Sequence, residues 1–137
     1  MPTPPFTYQF DLTHVDWDEM KETLLRDNFD NGRTPAQLKA SFERSFAACV
    51  AYAGMRIIGT ARVLSDGVCN AYMVDVWTLS EHRRQGVARA MIQGLLSKLP
   101  GQHVYLFTDE VPEFYRKLGF QERGTGLEIV VGEWLVG

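Results

Sequence analysis

One stretch, Asp75 to Leu99, constrains the fold more than any other. An apolar, β-prone run from Ala71 to Leu79 gives way to a polar turn at Ser80 to Arg83, and a helical pattern starts at Gly86. Along it Val87, Met91 and Leu95 recur at i and i+4, with Ala88 and Ile92 beside them, while Arg89, Gln93 and Lys98 fall on the opposite side. This is a strand, a tight basic turn and an amphipathic helix, and the rest of the chain reads as its support.

The turn carries Arg83-Arg84-Gln85-Gly86-Val87-Ala88, the spacing R-x-x-G-x-A. The first N–H groups of a helix lack intrahelical acceptors and sit at the positive end of the macrodipole, so a strand running straight into a helix creates an anion site. Gly86 and Ala88 leave room for a phosphate to approach the backbone, and Gly86 also tolerates a positive φ. Arg83, Arg84 and Arg89 add charge. Neither the dinucleotide fingerprint G-x-G-x-x-G nor the P-loop G-x-x-x-x-G-K-[ST] is present.

The loop resembles instead the pyrophosphate loop of the GNAT superfamily of acetyl-coenzyme A dependent N-acetyltransferases, [RQ]-x-x-G-x-[GA] between a strand and a helix. Downstream, Phe114-Tyr115-Arg116-Lys117-Leu118-Gly119-Phe120 is similar to the F/L-Y-x-K-L-G-F motif that closes the same fold. The resemblance is specific from about Ala47 to Phe120. It implies an α+β fold with a central, mostly antiparallel sheet in the order β-α-α-β-β-β-α-β-α-β-β, acetyl-CoA as cosubstrate, and one N-acetyltransferase domain over 1–137.

The remaining patterns agree with that order. Thr7 to Asp11 alternates as a first strand. Asp16-Trp17-Asp18-Glu19 reads as an acidic capping box opening a helix to about Asn28, and Thr34-Pro35-Ala36-Gln37 opens a second, along which Leu38, Phe42 and Phe46 recur. Ala47 to Ala53, Arg56 to Leu64 and the run around Val74 form a meander. His103 to Thr108 is a further strand, Val111 and Pro112 open a short helix ending at Gly119, and Phe120 to Arg123 with Leu127 to Val131 form a last hairpin.

With 137 residues, 45% hydrophobic and 23% charged, the chain suits one soluble globular domain. A net charge of −3 argues against a nucleic-acid binder, and no run approaches a membrane span. Cys49 and Cys69 form no metal or redox motif and read as buried free thiols in a reducing compartment. With no leader-like segment, the expectation is a cytoplasmic protein, monomer or homodimer, with no metal, nucleic-acid or membrane partner.

The resemblance assigns the pantetheine arm to the backbone of Val76, Trp77 and Thr78, and the pyrophosphate to Arg83, Arg84, Gln85, Gly86, Val87, Ala88 and Arg89. Tyr115 matches the family tyrosine beside the sulfur and is the expected general acid for the CoA thiolate. The resemblance further implies a small-molecule or peptide primary amine as acceptor, attacking the thioester directly. Asp75, inside an apolar strand, is the leading candidate to take the amine proton, or else is a structural ion pair with an arginine such as Arg62. Asp66, Asp109 and Glu110 are reserves. His82 reads as packing, and Trp17, Phe29, Tyr72 and Trp77 as core aromatics or an acceptor floor. A non-catalytic acyl-CoA binding or regulatory module is the alternative function.

Overall fold

The computed structural model describes residues 5–109 and 111–137, so Glu110 and the first four residues lie outside the description. The chain divides into two compact units, Met1–Tyr105 and Leu106–Gly137.

The first unit is built on a five-stranded sheet of sequential order, β1 (Phe6–Gln9), β2 (Ala47–Ala53), β3 (Arg56–Ser65), β4 (Asn70–Thr78) and β5 (His103–Tyr105). The first four strands are mutually antiparallel, and β5 lies parallel to β4. Helices α1 (Trp17–Arg26) and α2 (Pro35–Glu43) precede β2, and α3 (Val87–Leu96) connects β4 to β5, as a parallel pair requires. The core takes one face of each helix, with Met20 and Leu24 from α1, Leu38 and Phe42 from α2, and Val87, Met91, Ile92 and Leu95 from α3 all buried. The expected α+β class and the mostly antiparallel sheet are both present.

Local signals account for the helix starts. Thr34 accepts from the Gln37 amide while the Gln37 side chain accepts from the Thr34 amide, so the capping box of α2 is complete. Asp16 caps α1 by accepting from the Glu19 amide, but the box expected there does not close: Glu19 turns away and accepts from the Ile57 amide on β3 at 2.7 Å. Helix α1 stops at Arg26 because Asp27 caps it and Asn28 is left-handed, with φ 58°. Phe46 lies beyond α2 and is exposed.

Cys49 is buried on β2, whereas Cys69 is exposed in the turn before β4. That turn is wrapped around Asp66, whose carboxylate accepts from the amides of Val68, Cys69 and Asn70. These bonds hold its carboxyl well below the usual range, as suits a turn residue rather than a base. Strand β5 ends at Tyr105, three residues short of its expected end.

The second unit contains α4 (Pro112–Lys117), with Pro112 in its first turn as expected. The hairpin expected at Phe120–Arg123 and Leu127–Val131 is not formed; Glu133 and Val136 make the isolated bridge of this unit. Leu127 is 90% and Val131 87% exposed, so the apolar alternation buries nothing that would stabilise a lone two-stranded ribbon.

Candidate active site

Strand β4 is not regular. Thr60 pairs with Trp77 and Arg62 with Val74, so two residues of β4, Asp75 and Val76, stand opposite the single Ala61. Asp75 absorbs the extra length with φ 55°, in the left-handed region. The bulge splits β4 into two halves of opposite side-chain phase.

One face of β3 and β4 looks toward α1 and α2. Arg62 donates to the Ser41 carbonyl on α2, and the Trp77 indole Nε1 donates to Asp27, the cap of α1, at 2.8 Å. The other face looks toward α3, since a Cβ on Gly59 would come within 3.1 Å of Met91. Thr78 pairs with Gly59 and shares that face; its hydroxyl is buried and makes no hydrogen bond among the described residues.

Among the described residues, strand β5 pairs only with Asn70–Tyr72. On that side Met73–Thr78 has no strand partner among the described residues, which leaves the edge at Val76–Thr78 without a paired strand, although the Thr78 carbonyl accepts from Arg83 Nε at 3.3 Å. Trp77 itself is 2% exposed, so its ring is buried away from that edge.

The strand runs into a 3₁₀ turn at Ser80–His82, then Arg83, Arg84 and Gln85, and α3 opens behind Gly86. Arg84 and Gly86 are both left-handed, with φ 65° and 84°, and alternation of this kind turns backbone N–H groups toward a common point. Among the described residues no side chain caps α3, and the Ala90 amide makes the first helical bond to Gly86, so the amides of Val87, Ala88 and Arg89 have no intrahelical acceptor. A Cβ at Gly86 would meet no atom of the described residues within 4 Å. Arg83, Arg84, Gln85 and Arg89 are exposed around this helix start, while the Val87 side chain is in the core and offers only its amide. Backbone donors, space and cationic side chains together fit a polyphosphate.

The start of the loop is latched to α1. Asp27 accepts from the Trp77 indole, from the Ser80 hydroxyl at 2.6 Å and from the Ser80 amide at 3.2 Å, and Arg83 lies 3.9 Å from it. Burial works to raise the Asp27 carboxyl pKa, but the bonds from Ser80 and Trp77, helped by the Arg83 charge, hold it net below the usual value. His82 packs edge-on against Phe6 at 5.5 Å, in keeping with the packing reading.

Asp75 is engaged by two arginines. Arg33 forks onto both carboxylate oxygens at 2.9 and 3.0 Å, and Arg62 Nε donates to Oδ2 at 2.5 Å. Of its two sequence readings, the ion pair with Arg62 is what the structure displays, joined by an unforeseen second cation. Nothing local in Asn31-Gly32-Arg33 marks that residue, 42 positions from its partner. Asp27 was equally hidden, as one more acidic residue near a helix end.

The aromatic side chains divide as follows. Trp17 packs on Phe42 at 5.6 Å and Phe29 lies 6.5 Å from Trp77, whereas Phe29 and Tyr72 are partly open to solvent. Tyr115 belongs to the second unit, where it is 9% exposed between the rings of Phe114 and Phe120. Burial raises its phenol pKa above the ordinary 10.0, so it stays protonated through neutral pH. Among the described residues no group of three or more His, Cys, Asp or Glu side chains could hold a metal ion, and no helix is long and apolar enough to cross a membrane.

Comparison with known proteins agrees with this geometry. A histone acetyltransferase of Glycine max is 38% identical over 77 residues, 53% of this chain and 33% of that protein. A GCN5-related N-acetyltransferase of Arabidopsis thaliana, a chloroplastic protein, is 34% identical over 77 residues, 53% of this chain and 30% of that one. The matches span about a third of these curated relatives. Among solved structures, a GNAT-family protein of Xanthomonas campestris superposes with TM-score 0.80 at 21% identity, covering 98% of this chain and 100% of that one. A GNAT-family acetyltransferase of Streptococcus pneumoniae superposes with TM-score 0.76 at 22% identity, covering 93% and 99%. These likenesses show the GNAT fold. The model of the acetyltransferase (GNAT) domain matches residues 44–122, more than half of the chain, and the protein belongs to the GNAT acetyltransferase family.

Proposed function

We propose that this protein moves an acetyl group from acetyl-CoA to a primary amine by direct attack of the amine on the thioester. The observation that carries the reading is the uncapped start of α3 behind the left-handed Arg84 and Gly86, placed beside the unpaired edge of β4. The first feature suits the pyrophosphate of CoA, held by the amides of Val87, Ala88 and Arg89 with Arg83, Arg84 and Gln85 around it. The second suits the amides of the pantetheine arm, taken by the backbone of Val76, Trp77 and Thr78, where an N–H also serves to polarise the thioester carbonyl.

Such an attack needs no protein nucleophile, but it needs a neutral amine. An alkyl ammonium of pKa about 10.4 costs roughly 4.6 kcal/mol to deprotonate at pH 7. Asp75 is weakly suited to that task because its carboxylate already accepts three hydrogen bonds from two guanidinium groups. The proton then passes to solvent, or to a loop carboxylate such as Asp109. Tyr115 is the proton donor to the departing thiolate; its place in the second motif and a phenol kept protonated by burial support that role. A cytoplasmic location belongs to the same reading.

The occupation of Asp75 also favours one competing reading, a module that binds acyl-CoA without turnover. One experiment separates the two: thermal shift with acetyl-CoA and CoA, then thiol release over a panel of arylalkyl amines, polyamines, amino acids and a lysine peptide. The lysine peptide is included because the Glycine max relative acts on histones by name. Ligand at about a hundred times its Kd should add roughly 2.7 kcal/mol of stability. A shift with no thiol release from any amine supports the sensor, and the absence of any shift removes both readings.

A further inference from the structure

We propose that Arg33 and Arg62 are positioning residues for the acetyl-transfer reaction: by clamping the Asp75 carboxylate they hold the left-handed bulge that aims the open edge of β4. The inference rests on the acetyl-transfer reading for its consequence, but its structural content stands apart from it.

The bulge decides which face each later residue of β4 occupies. In a regular strand Trp77 would share a face with Ala71 and Met73, toward α3, because side chains alternate with period two. The extra residue breaks that parity. Trp77 instead pairs with Thr60 on the face of Val74 and Arg62, where its indole reaches Asp27. Asp27 in turn holds Ser80 at the head of the loop. The free edge at Val76–Thr78 and the start of the phosphate loop therefore both inherit their placement from one backbone conformation at Asp75.

A left-handed non-glycine residue persists only where its surroundings over-determine it. Here the surroundings are specific. Thr60 donates its hydroxyl to the Asp75 carbonyl at 2.8 Å, and the carboxylate is gripped from both sides by the arginines. Each guanidinium is itself tied to the helical layer. Arg33 donates from Nε to Asn31 and from Nη1 to Ser41, both at 2.9 Å, while Arg62 reaches the Ser41 carbonyl and the Ser45 hydroxyl and lies 5.7 Å from the centre of the Phe42 ring. Arg33 is buried, and two cations around one carboxylate are an expensive way to fill space that apolar side chains would fill at no electrostatic cost. The expense falls at the one place where β4 changes register against β3. The forked contact further requires arginine, because a lysine ammonium cannot hold both oxygens in one plane.

The test combines amide hydrogen exchange with kinetics for Arg33→Met, Asp75→Asn and Asp75→Ala. In the ligand-free Arg33→Met protein, exchange at Val74–Thr78 should quicken at least tenfold while Cys49–Ala51 on β2 stays protected. The kcat should fall at least tenfold with the shape of the pH-rate profile unchanged. Asp75→Asn should be milder than Asp75→Ala, since Asn tolerates the left-handed region and keeps one acceptor oxygen for the arginines. Should Arg33→Met fail to fold, Arg33→Lys, which keeps the charge and loses the fork, carries the same comparison. Wild-type exchange at Val74–Thr78 in a folded Arg33 variant would overturn the proposal. So would equal losses in Asp75→Asn and Asp75→Ala that recover toward the pKa of the amine, the behaviour of a base. If the wild-type protein acetylates no amine, the acetyl-transfer reading fails, and the exchange comparison still decides whether the arginines hold the bulge.

Discussion

A side chain at Gly86 would strain the backbone, whose φ is +84°, yet its Cβ would meet no atom of the described residues within 4 Å. Gly54, in the turn after β2, is in the same position with φ +61° and open space. The two sites separate the backbone cost from any ligand clash. Gly86→Val and Gly54→Val should each lose on the order of 1–2 kcal/mol of stability from the left-handed conformation. Only Gly86→Val should raise the acetyl-CoA Kd at least tenfold, about 1.4 kcal/mol, in a calorimetric titration. Equal affinities in the two variants would remove the phosphate loop from the reading. Tyr115→Phe deletes one hydroxyl from a side chain packed between Phe114 and Phe120. The fold should therefore survive, with kcat down about 10²-fold and acetyl-CoA affinity nearly unchanged. Normal turnover with a well-accepted amine would leave no side chain assigned to the leaving group.

Asp27 couples elements that are distant in sequence, since the end of α1, the end of β4 and the head of the loop all meet at one carboxylate. Asp27→Ala would leave the indole N–H of the buried Trp77 without its acceptor, at a cost of about 1–3 kcal/mol. It should also weaken acetyl-CoA binding by freeing Ser80 and the turn behind it. Thr34→Ala removes the cap of α2 for about 1 kcal/mol and should leave the affinity unchanged. Equal ligand shifts in the two variants would show that the latch is structural only. The contrast also marks what was legible in the sequence. The cap at Thr34 could be read because its partners lie within three residues, and the strand, loop and helix from Ala71 onward because periodicity and the R-x-x-G-x-A spacing are local. The bulge could not, because Ala71, Met73, Asp75 and Trp77 continue one alternation through the point where the backbone breaks it. Arg33 was hidden for the same reason as the latch, as both pairings exist only once α1 and α2 are laid on the sheet. The last hairpin failed in the opposite direction: its pattern was present, but pattern alone does not order strands that bury nothing.

At the scale of the whole chain, the family match over 44–122 includes residues of both compact units, in keeping with the expectation of one domain over 1–137, and we propose that thermal unfolding of the chain is read as one transition. That transition should depend on pH through groups that can be named. Asp27 and Asp66 have folded-state carboxyl pKa values below the ordinary 3.8, so their contribution is complete above about pH 4 and is lost as pH falls through those depressed values. At the other end, burial pushes the Cys49 thiol from 9.0 up to about 12, against a smaller opposing effect of the Lys98 charge. A raised folded-state pKa means stability that is fully present below pH 9 and is lost as pH climbs through about 12, and Tyr115, raised by burial, adds to that limb. The Tm should thus be flat from about pH 5 to 8.5 and fall on both sides. Cys49→Ala should make the alkaline fall shallower without touching the acid one, because the thiol forced to ionise in the core is gone. Asp66→Asn should do the reverse and lower the plateau slightly, since its carboxylate gathers three turn amides. A Cys49→Ala protein whose alkaline limb matches the wild type would show that the thiol does not ionise before the chain unfolds, and would leave that limb to the tyrosines.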